Sequence, residues 1–252
     1  MAHLTIDTGS PTLRMTTNIH VISPVDAGVT ANSTLYLLHG AGDNASTWHR
    51  LTTIELYAAK YGCTVIMPEA NRSFYTDMEY GLEYFRYVTQ ELPGICGKML
   101  RLNEDPGRTF VAGLSMGGYG ALKCALTYPD RYAKAVSFSG VTDIQKRLRD
   151  PNMEPGMAKE MQAVFGPDLR VKPDQDLYAL AAKRIEEGGP LPPVLCCCGT
   201  EDPFIGMNRE FAEFMRKTPF DFKYVEGPGT HEWLFWERHL KTAFDFLFDE
   251  KN

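Results

Sequence analysis

The sequence predicts an α/β fold, a mostly parallel central sheet covered by helices on both faces, in one domain. Two patterns carry this expectation. Short apolar runs at 34–38, 63–67, 109–114, 133–139 and 193–198 alternate with helical stretches, the rhythm of a parallel sheet joined by crossover helices. These runs are continuously apolar rather than alternating, as strands buried on both faces must be.

Taken in order, Leu4 to Asp7 and Thr16 to Ser23 read as an antiparallel lead-in, followed by a turn-rich segment from Pro24 to Gly28. Thr34 to Leu38 is the first buried strand and ends in His39-Gly40-Ala41-Gly42-Asp43. A helix is expected from Ser46, its N-cap, to Tyr61, with Gly62 closing it. After the strand Cys63 to Met67, the segment Pro68 to Tyr80 carries Asn71, Arg72, Phe74, Tyr75, Asp77 and Tyr80, which suits either a pocket-lining loop or an ordinary surface loop. A long helix should bury Leu82, Phe85, Val88, Leu92, Ile95 and Met99, with a bend at Pro93-Gly94. Asp105-Pro106-Gly107 is a turn. Residues 141–190, broken by Pro151, Pro155, Gly156, Gly166, Pro167 and Pro173, read as a small insertion over the active-site end of the sheet, a partial cap, or as plain connecting structure. Strands at 193–198 and 220–225 and a final helix packing Trp236, Leu240, Phe244 and Leu247 complete the chain.

Composition narrows the function. With 44% hydrophobic and 23% charged residues over 252 positions, neither disorder nor a membrane protein is indicated. A net charge of −6 and the absence of a basic run argue against a nucleic-acid partner. The start, Met1-Ala-His-Leu-Thr-Ile-Asp7, lacks the features of a secretory signal, and no stretch approaches the ~18 apolar residues of a membrane span, so a cytoplasmic location is expected. The six cysteines, three of them consecutive at 196–198, read as small buried hydrophobes of a reducing compartment, and their spacing is not that of a zinc site.

The chemistry is carried by Gly113-Leu-Ser115-Met-Gly117, a G-x-S-x-G strand-to-helix turn that lifts the serine hydroxyl out of the chain and sets free helix N–H groups behind it. A serine needs a base and an orienting carboxylate. Of the two histidines downstream, His239 lies within the final amphipathic helix, which leaves His231 as base. For the acid, Asp202 is preferred over Asp143 and Glu201 because its loop follows the penultimate strand, giving the order serine, acid, histidine. The loop after the first buried strand has two readings. Gly40-Ala-Gly42-Asp-Asn-Ala45 fits a G-x-G-x-x-A dinucleotide fingerprint, but Asp43 would face the pyrophosphate and Glu69 lies beyond the usual ~20 residues. The preferred reading has the N–H groups of Ala41 and Met116 forming an oxyanion hole, with Gly40, Trp48, Tyr75 and Tyr119 as substrate-binding residues and His39 supporting the loop. No metal or cofactor is called for by this chemistry.

Leu37-Leu-His-Gly40, Gly113-Leu-Ser-Met-Gly-Gly-Tyr-Gly-Ala121, Gly199-Thr-Glu-Asp202 and His231-Glu-Trp-Leu-Phe-Trp236, in that order, resemble the esterase D branch of the α/β hydrolases, from about residue 12 to 247. Bacterial tributyrin esterases are the nearest likeness, with S-formylglutathione hydrolases as relatives. The resemblance implies the α/β-hydrolase fold and a cytoplasmic serine carboxylesterase for short acyl esters. It implies Ser115, Asp202 and His231 as triad, Ala41 and Met116 as oxyanion donors, and an oligomeric state in some relatives. At Ala41-Gly42 the chain departs from the thioesterase relatives, which resemble Leu-Thr-Cys there. A small-molecule ester is the expected partner; a thioesterase, an acyltransferase and a non-catalytic binding module are the other readings.

Overall fold

The structure is a computed structural model that describes residues 1–24, 31–100, 102 and 105–249; the turn expected at Pro24 to Gly28 lies outside them from residue 25 on. Eight strands form one sheet: β1 (Ala2–Ser10), β2 (Met15–Ser23), β3 (Ser33–Leu38), β4 (Cys63–Pro68), β5 (Thr109–Leu114), β6 (Lys134–Phe138), β7 (Val194–Gly199) and β8 (Phe222–Gly227). Their order is β1-β2-β4-β3-β5-β6-β7-β8, antiparallel from β1 through β4 and parallel from there on. This eight-stranded, mostly parallel sheet agrees with the α/β-hydrolase fold that the resemblance implied.

Strand residues face two cores, one on each side of the sheet. In β3, Tyr36 and Leu38 pack into one, and Leu35 and Leu37 into the other. The consecutive cysteines obey the same alternation: Cys196 joins the first core and Cys197 the second, and all six cysteines are free and buried. No helix among the described residues is long and apolar enough to cross a membrane.

The chain runs from β3 to β4 on one side and then from β5 to β6 on the other, so the carboxyl ends of β3 and β5 frame a switch point, where open α/β sheets leave a crevice for ligands. Pairing of Leu38 with Gly113 sets His39-Gly40 beside Leu114-Ser115. Small residues make this approach feasible. A Cβ on Gly113 would collide with the Gly117 carbonyl, and one on Gly117 with the Leu38 carbonyl.

Three expectations need correction. The helix predicted from Ser46 to Tyr61 is two helices, α1 (Thr47–Leu51) and α2 (Ile54–Tyr61), and Ser46 does not cap with its side chain. Asn44 Oδ1 instead accepts from the Ser46 N–H at 2.9 Å, while Thr53 between the helices is held by Glu237 through its N–H at 2.9 Å. Gly62 does close α2 in the left-handed region at φ 59°. The long helix comprises α3 (Tyr84–Arg86), a π-turn (Tyr87–Glu91) and α4 (Leu92–Leu100). The extra residue in that turn rotates the stripe. Tyr84, Tyr87, Val88, Leu92 and Cys96 are buried, Leu82 precedes the helix, and Met99 is exposed. Pro93 has no N–H to give the Thr89 carbonyl, which is taken up by Arg131 Nη1 instead.

The elbow helix is α5 (Met116–Thr127). The insertion contributes α6 (Ile144–Leu148), α7 (Pro155–Phe165) and α8 (Leu177–Glu187); α9 (Ile205–Met215) and α10 (Trp233–Leu247) follow. One buried cation ties α5 to the loop after β4. Lys123 Nζ donates to Tyr75 O at 3.2 Å and Thr76 Oγ1 at 3.3 Å and sits 4.0 Å from the Phe85 ring centroid. Burial pulls this ammonium down to about 8. Because an unfolded chain keeps the proton up to about 10.5, the burial cost is present below pH 8 and is relieved as pH rises from about 8 to 10.5. Lys123→Met removes that dependence. In denaturant unfolding, the stability of the native protein minus that of the variant is therefore expected to increase between pH 7 and 10.

Candidate active site

Ser115 joins β5 to α5 at φ 53° and ψ −117°, a conformation that non-glycine residues avoid and that costs about 1–3 kcal/mol. Its backbone is pinned on both sides: the N–H donates to Phe138 O at 2.9 Å, and its carbonyl accepts from Tyr119 N at 3.1 Å. The hydroxyl is therefore aimed by the main chain. It forms no hydrogen bond of its own among the described residues. The next N–H, that of Met116, is the first of α5 and has no partner within the helix. The Met116 side chain is buried and its Sδ accepts from the Phe74 N–H at 3.3 Å, which anchors the loop after β4.

The second predicted donor is oriented by a hydrogen-bond relay. Ala70 N–H donates to His39 Nε2 at 3.0 Å, so the imidazole carries its proton on Nδ1, which donates to Gly40 O at 2.8 Å. Asp43 N–H donates to the same carbonyl at 3.1 Å. Gly40 O and Ala41 N–H belong to one trans peptide, so holding the first turns the second the opposite way. Arg72 Nη1 in turn donates to Ala41 O at 2.9 Å and its Nε pairs with Glu160 of α7 at 2.5 Å, joining the insertion to this loop. Gly40 itself packs on Ser115. A Cβ there would lie 2.6 Å from Leu114 Cδ1, 2.8 Å from Asp43 Oδ2 and 3.5 Å from Ser115 Cβ.

Asp202 and His231 arrive on loops after β7 and β8. Asp202 is fully enclosed; its Oδ1 accepts from Phe204 N–H at 2.8 Å and its Oδ2 from His231 Nδ1 at 2.9 Å. That leaves His231 Nε2 free of a proton, the tautomer a general base requires. Edge-on rings of Phe204 and Trp236, with centroids at 4.9 and 5.1 Å, hold the imidazole upright. Trp236 is itself held by Ser139, to whose Oγ its indole N–H donates at 3.1 Å.

The competing groups have other duties. Asp143 caps α6, accepting from Lys146 N–H at 2.8 Å. Glu201 accepts from Gly229 N–H at 2.7 Å and so braces the loop that carries His231, a bond that draws its carboxyl below the usual range. His239 is buried with Nδ1–H donating to Phe235 O at 2.9 Å, and burial lowers its pKa.

Three residues expected to touch substrate are enclosed supports instead. Trp48 gives its indole N–H to Leu38 O at 3.0 Å, Tyr75 its hydroxyl to His39 O at 3.0 Å, and Tyr119 its hydroxyl to Gln175 O at 2.6 Å; none has exposed surface. An aromatic ring in a loop is as useful for closing the core beneath a site as for facing it, and its composition alone does not tell the two apart. Sequence reasoning passed over Arg72 as a carbonyl clamp, Trp236 as a support for the imidazole, and Asp43 as a neighbour of Ser115. The place of Asp43 three residues after Gly40 was the available signal for the last. Among the described residues no cluster of three or more His, Cys, Asp or Glu is arranged to hold a metal ion.

Known proteins supply the context. Residues 10–247 match the model of the esterase family described as "Putative esterase". The chain is 31% identical to an acetyl esterase of Caldicellulosiruptor saccharolyticus over 98% of both chains. In structure it is similar to FphF, a fluorophosphonate-binding serine hydrolase of Staphylococcus aureus (TM-score 0.89, 32% identity, 98% of both chains). It is likewise similar to FrmB, an S-formylglutathione hydrolase of the same organism (TM-score 0.86, 33% identity, 98% of both chains). With an elbow serine, an aspartate-bound histidine and this span of likeness, the chain belongs to the esterase family of serine hydrolases with the α/β-hydrolase fold.

Proposed function

We propose that this serine esterase cleaves short-chain acyl esters, acetyl to butyryl in kind, through an acyl-enzyme on Ser115. The His231 Nδ1 to Asp202 Oδ2 hydrogen bond of 2.9 Å carries the reading, because it presents an unprotonated Nε2 at the sheet edge from which Ser115 emerges. His231 takes the serine proton as Oγ attacks the carbonyl carbon, and the N–H groups of Met116 and Ala41 receive the oxyanion. The imidazolium, held by Asp202, then protonates the departing alcohol. Water then attacks the acyl carbon as His231 takes its proton, and the imidazolium returns that proton to Ser115 Oγ as the C–Oγ bond breaks and the acid leaves. The Ser115–His231 hydrogen bond is of the kind that tightens in the reacting complex.

The acyl range is supported by the acetyl esterase among the relatives. FrmB, named an S-formylglutathione hydrolase, supports a thioesterase as the second reading. Matched acetyl oxygen and thiol esters separate the two by kcat/KM. Six free, buried cysteines support a reducing, cytoplasmic location. Residues 141–190 act as a partial cap on this reading, supported by the Arg72–Glu160 pair and by main-chain bonds from Glu79 N to Val164 O (3.0 Å) and Tyr80 N to Ala163 O (2.9 Å).

Ser115→Ala is expected to abolish labelling by a fluorophosphonate probe and to lower kcat on 4-nitrophenyl acetate by about 10⁴-fold or more; an unchanged rate refutes the nucleophile. Asp202→Asn keeps the shape but supplies the wrong tautomer, and kcat should fall by about 10⁴. His39→Asn releases the Gly40 carbonyl. Since an oxyanion donor is worth about 10²–10³ in kcat, its misorientation should lower kcat by about tenfold or more with KM little changed, in steady-state kinetics.

A further inference from the structure

We propose that Asp43 determines which esters this site accepts, its carboxylate beside the nucleophile discriminating against substrates that carry a negative charge near the scissile bond and favouring neutral or cationic ones. The inference rests on the ester-hydrolase reading above and adds to it a substrate class.

Position is the first support. One point, where a Cβ on Gly40 would fall, lies 2.8 Å from Asp43 Oδ2 and 3.5 Å from Ser115 Cβ, so carboxylate and nucleophile are separated by little more than the missing side chain of a glycine. The carboxylate is half-buried, with His39 and His231 within electrostatic reach. Burial raises its carboxyl above the usual carboxylate range, and the two imidazoles offset this only in part. No lysine or arginine pairs with it among the described residues. Arg72 reaches the same loop at Ala41 O, but Glu160 is its counter-ion.

Chemistry is the second. A carboxylate next to an oxyanion hole opposes the charge that develops there, so its place beside the serine carries a catalytic cost. The same charge steadies the imidazolium formed at His231 in the same step and offsets much of that cost. Neither effect depends on the substrate's own charge. What does depend on it is the Coulomb term between Asp43 and the bound ester. Two charges about 7 Å apart at an effective dielectric of about 20 differ in binding by about tenfold or more relative to a neutral isostere.

The test uses two acetate esters of nearly equal size, those of 4-hydroxybenzoate and of its methyl ester, and compares kcat/KM between them. The native enzyme is expected to favour the neutral ester, and Asp43→Asn to reduce that preference by about tenfold. Raising the ionic strength should compress the preference of the native enzyme but not of the variant. Because the readout is a ratio within one protein, a general loss of activity does not affect it, and Asp43→Ser serves if Asp43→Asn is unstable. Glu186→Gln, which removes an exposed carboxylate of α8, is expected to leave the ratio as it is. A ratio unchanged within twofold in both Asp43 variants overturns the proposal, as does an equal change in Glu186→Gln, which would trace the preference to the net charge of −6. If the native enzyme cleaves neither ester, the ester-hydrolase reading fails first and this proposal falls with it.

Discussion

The contact between the end of β3 and the elbow helix governs everything at this sheet edge. Gly117 lies against the Leu38 carbonyl and Gly113 against Gly117, so strand and helix backbones meet without side chains between them. That approach forces Ser115 into a left-handed conformation at φ 53°, and the hydrogen bonds from its N–H to Phe138 O and from Tyr119 N to its carbonyl keep it there. It also brings the loop from His39 to Asp43 against the serine, so that the Ala41 N–H and the Asp43 carboxylate both lie on one short loop beside it.

Around this contact, buried polar side chains are turned onto backbone carbonyls rather than toward solvent. His39 holds Gly40 O, Tyr75 holds His39 O, Trp48 holds Leu38 O, and Lys123 holds Tyr75 O. Each of these carbonyls lies on the loops after β3 and β4, or at the strand end that leads into one, segments without a sheet ladder to satisfy them. A buried polar group without a partner costs about 1–3 kcal/mol, so these side chains make the loops affordable in a dry environment and fix their peptide planes. Rigidity of the loop after β3 is thus a by-product of satisfying its main chain.

The order of motifs made much of this legible before any coordinates. The apolar runs located all the core strands because strands buried on both faces have little choice of composition, and the Asp202–His231 pairing followed from loop position after successive strands. Less legible were features set by local competition. The helix after β3 breaks at Thr52–Thr53, where Glu237 from far along the chain accepts from the Thr53 N–H. The π-turn at Tyr87–Glu91 shifts the buried stripe by one residue, and nothing in the 3.6-residue spacing announces it.

Sequence by itself determined the strand-helix alternation, the serine on its glycine-flanked turn and the chain order of acid and base, since each depends on residue types at short range. Only the tertiary structure decided which aromatic rings face inward and which carboxylate stands beside the serine. Those assignments depend on distances between segments far apart in the chain, and a carboxylate such as Asp143 or Glu201 acquires its place from the N–H groups it meets there.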